Sequence, residues 1–193
     1  MITRAQVAKA AFWQLLFVVR GTSRERVRAA SEEGLMLLRG FSPAQMRELV
    51  ADALGPVLRP LVYDEPLRLV EEHRGRGEPS YIVSAALQEV VDAMADDLGF
   101  DGALGTLCEV ENGVYTGRGV RSLHGEHKAV AVRELARERG YELAESTAYS
   151  DSHTDLPFLE VVGNPVAVNP DRELRRVAVA RGWPVLRFTQ RGA

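Results

Sequence analysis

The sequence predicts an α/β protein: a parallel, Rossmann-like sheet clothed by helices and preceded by an all-helical segment. Three observations predict it. Up to about Glu78 the apolar residues recur almost entirely at helical spacing; after Glu78, short β-type runs alternate with amphipathic helices. The chain has 193 residues with a 46% hydrophobic fraction, enough for one core or a core with a small appended subdomain.

In chain order, residues Thr3 to Val19 read as one apolar helix that ends at Gly21. Ala10 to Val19 is too short to span a bilayer, and no small-residue cleavage pattern follows Arg20, so it reads as a buried helix, with a membrane-surface role as the alternative. Thr22 caps a second helix to about Leu38, broken by Gly40. Ser42-Pro43 starts a third, with Met46, Leu49, Val50, Ala53 and Leu54 at helical spacing. A fourth runs from about Leu61 to Arg74 and ends at Gly75-Arg76-Gly77. Then come a strand at Tyr81 to Val83, a helix at Leu87 to Leu98 and a strand at Ala103 to Leu107. Asn112-Gly113 between Val110 and Val114 signals a hairpin. A helix at Glu126 to Arg139, a β run at Ser146 to Ser150 and a helix at Asp155 to Val162 follow. The chain closes with a strand at Val166 to Val168, a helix capped by Asp171 to Arg181, and a strand at Val185 to Phe188.

Composition excludes several classes. A net charge of −3 is not the basic footprint of a nucleic-acid binder. The single cysteine, Cys108, forms no internal disulfide, and no Cys/His set has zinc spacing, which fits a reducing cytoplasm. There is no Gly-x-Gly-x-x-Gly after a strand, no Gly-x-x-x-x-Gly-Lys-[Ser/Thr] and no Gly-x-Ser-x-Gly elbow.

Three places where a strand gives way to a helix could carry chemistry, because ligands of open α/β sheets collect at strand carboxyl ends. Ser84, read as lying between a strand and a helix, is either a plain N-cap or, with helix-terminal amides, an anion site. Lys128 opens a helix against its dipole; it is either a solvated lysine or one that meets an anion. In Ser150-Asp151-Ser152-His153-Thr154-Asp155, two carboxylates suit a hard cation such as Mg2+, or an acidic first turn behind a cap. His153 reads as a third ligand or an exposed loop residue. Taken in order, a hydroxyl, a lysine and an acidic loop can hold a phosphate and a metal at one point.

This order resembles the motifs of the haloacid dehalogenase-like (HAD) superfamily, phosphoserine-phosphatase-like branch (HAD-IB), over roughly Leu61 to Phe188. Tyr81-Ile82-Val83-Ser84-Ala85 is similar to motif II, which implies phosphate binding by Ser84 and Ala85. Lys128 resembles the motif III lysine, which implies a catalytic role and pairing with phosphate. The loop Tyr149 to Leu159 resembles motif IV, with Asp151 as a Mg2+ ligand and Asp155 as a supporting carboxylate. The stretch Val162 to Asp171 and the ending Arg181-Gly182-Trp183-Pro184-Val185-Leu186 resemble the same branch. The resemblance implies a helical cap at residues 1–59, an α/β core at 60–193, and a small phosphorylated metabolite as substrate.

One family feature is missing. Motif I, an Asp-x-Asp strand ahead of the cap, supplies the nucleophile and the general acid/base. Before Ser84 this sequence has only Asp52 and Asp64, neither in such a pair and both in helical contexts. The resemblance therefore implies a start inside the cap, loss of the central strand, weak Mg2+ binding and no turnover by the chain as written. An incomplete sheet leaves homodimerisation open. Three accounts follow: a phosphatase whose start lies further upstream, a non-catalytic binding or regulatory module, or another α/β protein. Arg20, Arg24, Arg28 and Arg39 could meet an acidic substrate or simply face water.

Overall fold

The computed structural model describes residues 35–55 and 59–190. The helix expected at Thr3 to Val19 and the one from Thr22 up to residue 34, with Arg20, Arg24 and Arg28, lie outside the described residues; residues 35–37, the last turn of the second, are helical. The described residues fall into two compact units, one ending at Ser122 and the other spanning Leu123–Gln190.

In the first unit, helix α1 (Pro43–Ala53) starts where the sequence specifies a start. The Ser42 hydroxyl accepts the Gln45 N–H at 3.2 Å, and the Gln45 side chain accepts the Ser42 N–H at 2.9 Å, a reciprocal cap with Pro43 in the first turn. Met46, Val50 and Leu54 then share the buried stripe. A 3-10 turn (Arg59–Leu61) precedes α2 (Asp64–Gly75), so Asp52 and Asp64 are both helical, as expected. Strand β1 (Tyr81–Leu87) leads into α3 (Gln88–Leu98), which ends at Gly99 in the left-handed region. Strands β2 (Gly102–Glu111) and β3 (Val114–Arg121) form the hairpin, with positive φ at both Asn112 and Gly113.

The sheet order is β1-β2-β3, the first pair parallel and the second antiparallel. Residues Gly40 and Phe41 exchange two backbone hydrogen bonds with Tyr115 of β3. Leu35, Leu38, Met46, Val50, Val90, Val91 and Tyr115 meet in one core. Helix α1 packs on α3, inside the unit that holds β1.

The second unit is all parallel. Helix α4 (Glu126–Arg139) has its predicted bounds; strand β4 (Thr147–Ser150) is followed by a 3-10 turn (His153–Asp155) and the one-turn helix α5 (Leu156–Leu159). Strand β5 (Asn164–Val168), helix α6 (Arg172–Arg181) and strand β6 (Val185–Leu186) complete it. The order is β4-β5-β6, with β5 central. Gly163 is required before β5: a Cβ there would lie 1.8 Å from the Ala144 carbonyl oxygen. The helix expected over Asp155 to Val162 is shorter: it starts one residue later, after the 3-10 turn, and ends at Leu159, where a turn leads into β5. No helix among the described residues is long and apolar enough to cross a membrane.

Candidate functional site

Strand β4 and the loop after it carry the acidic residues; the first turn of α4 carries the lysine. Lys128 is buried, and its ammonium donates to Asp155 Oδ2 at 2.8 Å. Ser150 Oγ, at the end of β4, donates to the same oxygen at 2.8 Å. Ser150 Oγ in turn accepts the Ser152 N–H at 3.2 Å. Lys128, Ser150 and Asp155 are each no more than 9% exposed, so the charges are desolvated and mutually satisfied. Lys128 is therefore not the solvated lysine that a lone helix-start lysine suggests. His124, one turn before Lys128, is held below the ordinary imidazole range by desolvation and then by the Lys128 charge.

Asp151 differs from Asp155. It is exposed, and among the described residues no side chain donates to it. Its carboxyl is pushed above the ordinary range, first by desolvation against the surrounding protein and then by the Asp155 and Asp171 charges, with Lys128 opposing. Its open face lets water moderate that rise. Its backbone carbonyl accepts the Asp171 N–H at 2.8 Å.

Asp171 holds this loop as well as capping α6. Its Oδ1 accepts the Leu174 N–H at 2.8 Å, and its Oδ2 accepts the His153 N–H and lies 2.8 Å from His153 Nδ1. Burial works against the ionised form, but the hydrogen bonds from Leu174 and His153 prevail and hold the carboxyl below its ordinary value. His153 Nε2 lies 3.4 Å from Glu173. His153 is thus engaged with α6 carboxylates rather than being a free loop histidine. The sequence shows Asp171 as a cap; its reach to the acidic loop is a tertiary contact without a local signal.

Ser84 lies in the other unit and is not a helix cap. It falls inside β1, where the pairing with β2 shifts register between Val83 and Leu87; the helix starts only at Gln88. The Ser84 hydroxyl accepts the Ala86 N–H at 3.2 Å, and the Ala85 carbonyl accepts the Thr106 hydroxyl at 2.8 Å. The bulge turns Ser84-Ala85-Ala86 into a small polar bend at the end of the strand. In the second unit the structure brings together Lys128, Asp151 and Asp155, with Ser150, His153 and Asp171 added to what the sequence named.

The donor set limits which cation these residues can take. Among the described residues no group of three or more His, Cys, Asp or Glu is placed to hold a metal ion. One open carboxylate, Asp151, stands beside a second whose Oδ2 is already committed. Such a set suits Mg2+, which keeps several waters and takes one or two carboxylates plus substrate phosphate. It does not suit a caged cation.

Comparison with known proteins shows the family. The family profile of the haloacid dehalogenase-like hydrolases matches residues 2–160. The chain is 42% identical over 189 residues to the inhibition of morphological differentiation protein of Streptomyces azureus, covering 97% of this chain and 68% of that one. It is 38% identical over 163 residues to a phosphoserine phosphatase of Mycobacterium tuberculosis, covering 84% of this chain and 53% of that one. It therefore spans only part of each relative. The crystal structure of a protein of unknown function from Bordetella pertussis Tohama I superposes with a TM-score of 0.76 at 32% identity, over 90% of this chain and 78% of that one. The α/β architecture with parallel strands is that of the same group, and the chain belongs to the haloacid dehalogenase-like hydrolase family.

Proposed function

We propose that these residues form the phosphate- and Mg2+-holding part of a phosphomonoester hydrolase of the phosphoserine-phosphatase-like branch, HAD-IB. The observation that carries this reading is the buried Lys128 ammonium fixed by Asp155 beside the open Asp151 carboxylate. An ammonium has three N–H donors; Asp155 takes one, and the others remain to meet phosphate oxygens. Held at low exposure, that charge acts on a phosphoryl group more strongly than it would in water. Asp155 fixes the direction of the ammonium and Ser150 fixes Asp155, so the cation is in place before substrate arrives. Asp151 would hold Mg2+, which when bound supplies charge neutralisation on the phosphate. The motif II resemblance, by itself, also assigns Ser84 and Ala85 to phosphate binding.

Residues 1–59 are proposed as the cap that selects the substrate, a small phosphorylated metabolite rather than a nucleic acid. Attack on phosphorus needs an activated nucleophile. The residues before Ser84 offer no Asp-x-Asp, so the 193 residues alone should not turn over. The proposed setting is cytoplasmic.

The test is hydrolysis of a generic aryl phosphate, with and without Mg2+, by the 193-residue chain and by a version extended upstream in frame with an Asp-x-Asp strand. Mg2+-dependent activity is expected only in the extended form. There, Asp151→Asn should abolish it and Lys128→Ala should lower kcat by about 100-fold or more, the size of removing one preorganised charge donor. Robust turnover by the 193-residue chain would overturn the reading of the missing nucleophile. Silence in both forms would count against a phosphatase and favour a non-catalytic binding protein.

A further inference from the structure

We infer that Asp171 and His153 form a clamp that sets the direction of the Asp151 carboxylate, so that both are positioning residues for the cation site. This deepens the function proposed above and rests on its assignment of Asp151 to Mg2+.

The clamp has three anchors. The Asp171 N–H donates to the Asp151 carbonyl at 2.8 Å, so that carbonyl is fixed and already engaged. Asp171 Oδ2 takes the His153 N–H and His153 Nδ1, each at 2.8 Å. Asp171 Oδ1 takes the Leu174 N–H at 2.8 Å, which ties the carboxylate to the first turn of α6. Residues on both sides of Ser152 are therefore held by one residue at a helix start, Asp151 through the Asp171 backbone N–H and His153 through its carboxylate.

Asp171 is itself held. Asn169 adopts a positive φ of 43° and exchanges side-chain hydrogen bonds with the Phe188 backbone at 3.0 Å in both directions. Its N–H also donates to the Leu186 carbonyl at 3.0 Å. Asn-Pro-Asp thus works as a two-ended staple: Asn169 grips the strand at the end of the chain, Pro170 stiffens the step, and Asp171 grips the acidic loop.

The need for such a device follows from the site. Asp151 is exposed and no described side chain donates to its carboxylate. Only its backbone can fix where it points, and a cation held by few ligands loses affinity quickly when one of them wanders. Outer-shell partners of metal ligands typically contribute 10- to 100-fold to affinity.

The probe is Mg2+ itself, titrated into the 193-residue chain while the backbone amide resonances of Asp151 and Ser152 are followed. Mn2+ broadening of the same resonances serves as a second readout. Wild type should give a saturable shift that Asp151→Asn removes. His153→Ala and Asp171→Asn should each weaken Mg2+ by about tenfold. His153→Asn, whose amide can still donate to Asp171, should recover most of the loss while His153→Ala does not. The melting temperature of His153→Ala should stay within a few degrees of wild type, which separates positioning from general stability. Unchanged Mg2+ affinity in both His153→Ala and Asp171→Asn, with wild type binding normally, overturns the clamp alone. Absence of any Asp151-dependent shift in wild type overturns the cation site proposed above and the clamp with it.

Discussion

Lys128 shows what a side chain can mean that its place in the sequence does not reveal. At the start of a helix it reads as a solvated lysine in a mildly unfavourable position. In the structure its partner lies 27 residues further on, across a strand and a loop. No local pattern reports a pairing of that range; only the order of the three motifs hinted at it. The pair also makes a stability prediction. Lys128→Met leaves the Asp155 carboxylate buried with the Ser150 hydroxyl still donating to it at 2.8 Å, so it should cost about 3 kcal/mol. The double change Lys128→Met with Asp155→Leu removes both charges and should be markedly less destabilising than the sum of the single changes. Urea denaturation of the three variants measures this; strict additivity would mean that the two charges do not interact.

Helix starts and tight turns were the most legible elements, because their signals are local. Ser42-Pro43, Asp171 and Asn112-Gly113 each specify a backbone geometry through groups within three residues, and each is found as expected. The bend at Ser84 and the 3-10 turn at His153–Asp155 were not legible, since a register shift against β2 and an anchor on α6 decide them. Two predictions belong to this scale. A Cβ at Gly105 would lie 2.6 Å from the Gln88 Cα, where β2 meets the start of α3. Gly105→Ala should therefore cost about 1 to 3 kcal/mol in chemical denaturation, with the larger effect if the Gly105 N–H to Gln88 hydrogen bond at 2.6 Å is also lost. At the end of α2, Arg76 first and His73 second hold the exposed Glu78 carboxyl at about 2, down from 4.5. A depressed carboxyl stabilises the fold above its unfolded value and loses that contribution as pH falls through its folded one. The melting-temperature gap between wild type and Glu78→Gln should thus be full at pH 6 and close between about pH 4.5 and 2. A gap that persists unchanged at pH 2 would remove this assignment.

At the scale of the molecule, each sheet ends on a parallel strand. Among the described strands β1 pairs only with β2, and β4 only with β5. Parallel strands are ordinarily covered, and a row of unpaired backbone groups is both costly and adhesive. The Ser146 carbonyl accepts the Asn164 N–H at 3.1 Å, which by the two-residue alternation of a strand turns the Thr147 amide to the opposite edge of β4. That edge is the natural seat for a further parallel strand, and the sequence reading had placed the family's Asp-x-Asp strand at the centre of the sheet. Hydrogen exchange can decide what takes it. In the 193-residue chain the Thr147 amide should exchange faster than the amides of β5, which is paired on both sides. In the upstream-extended form its exchange should slow by at least about tenfold, with a rise in melting temperature, as an edge amide becomes a ladder amide whose opening requires a larger unfolding event. Slow exchange in the 193-residue chain that depends on protein concentration would instead assign the edge to a second copy. Slow exchange at every concentration would mean that the edge is covered from within, and that no central strand is wanting.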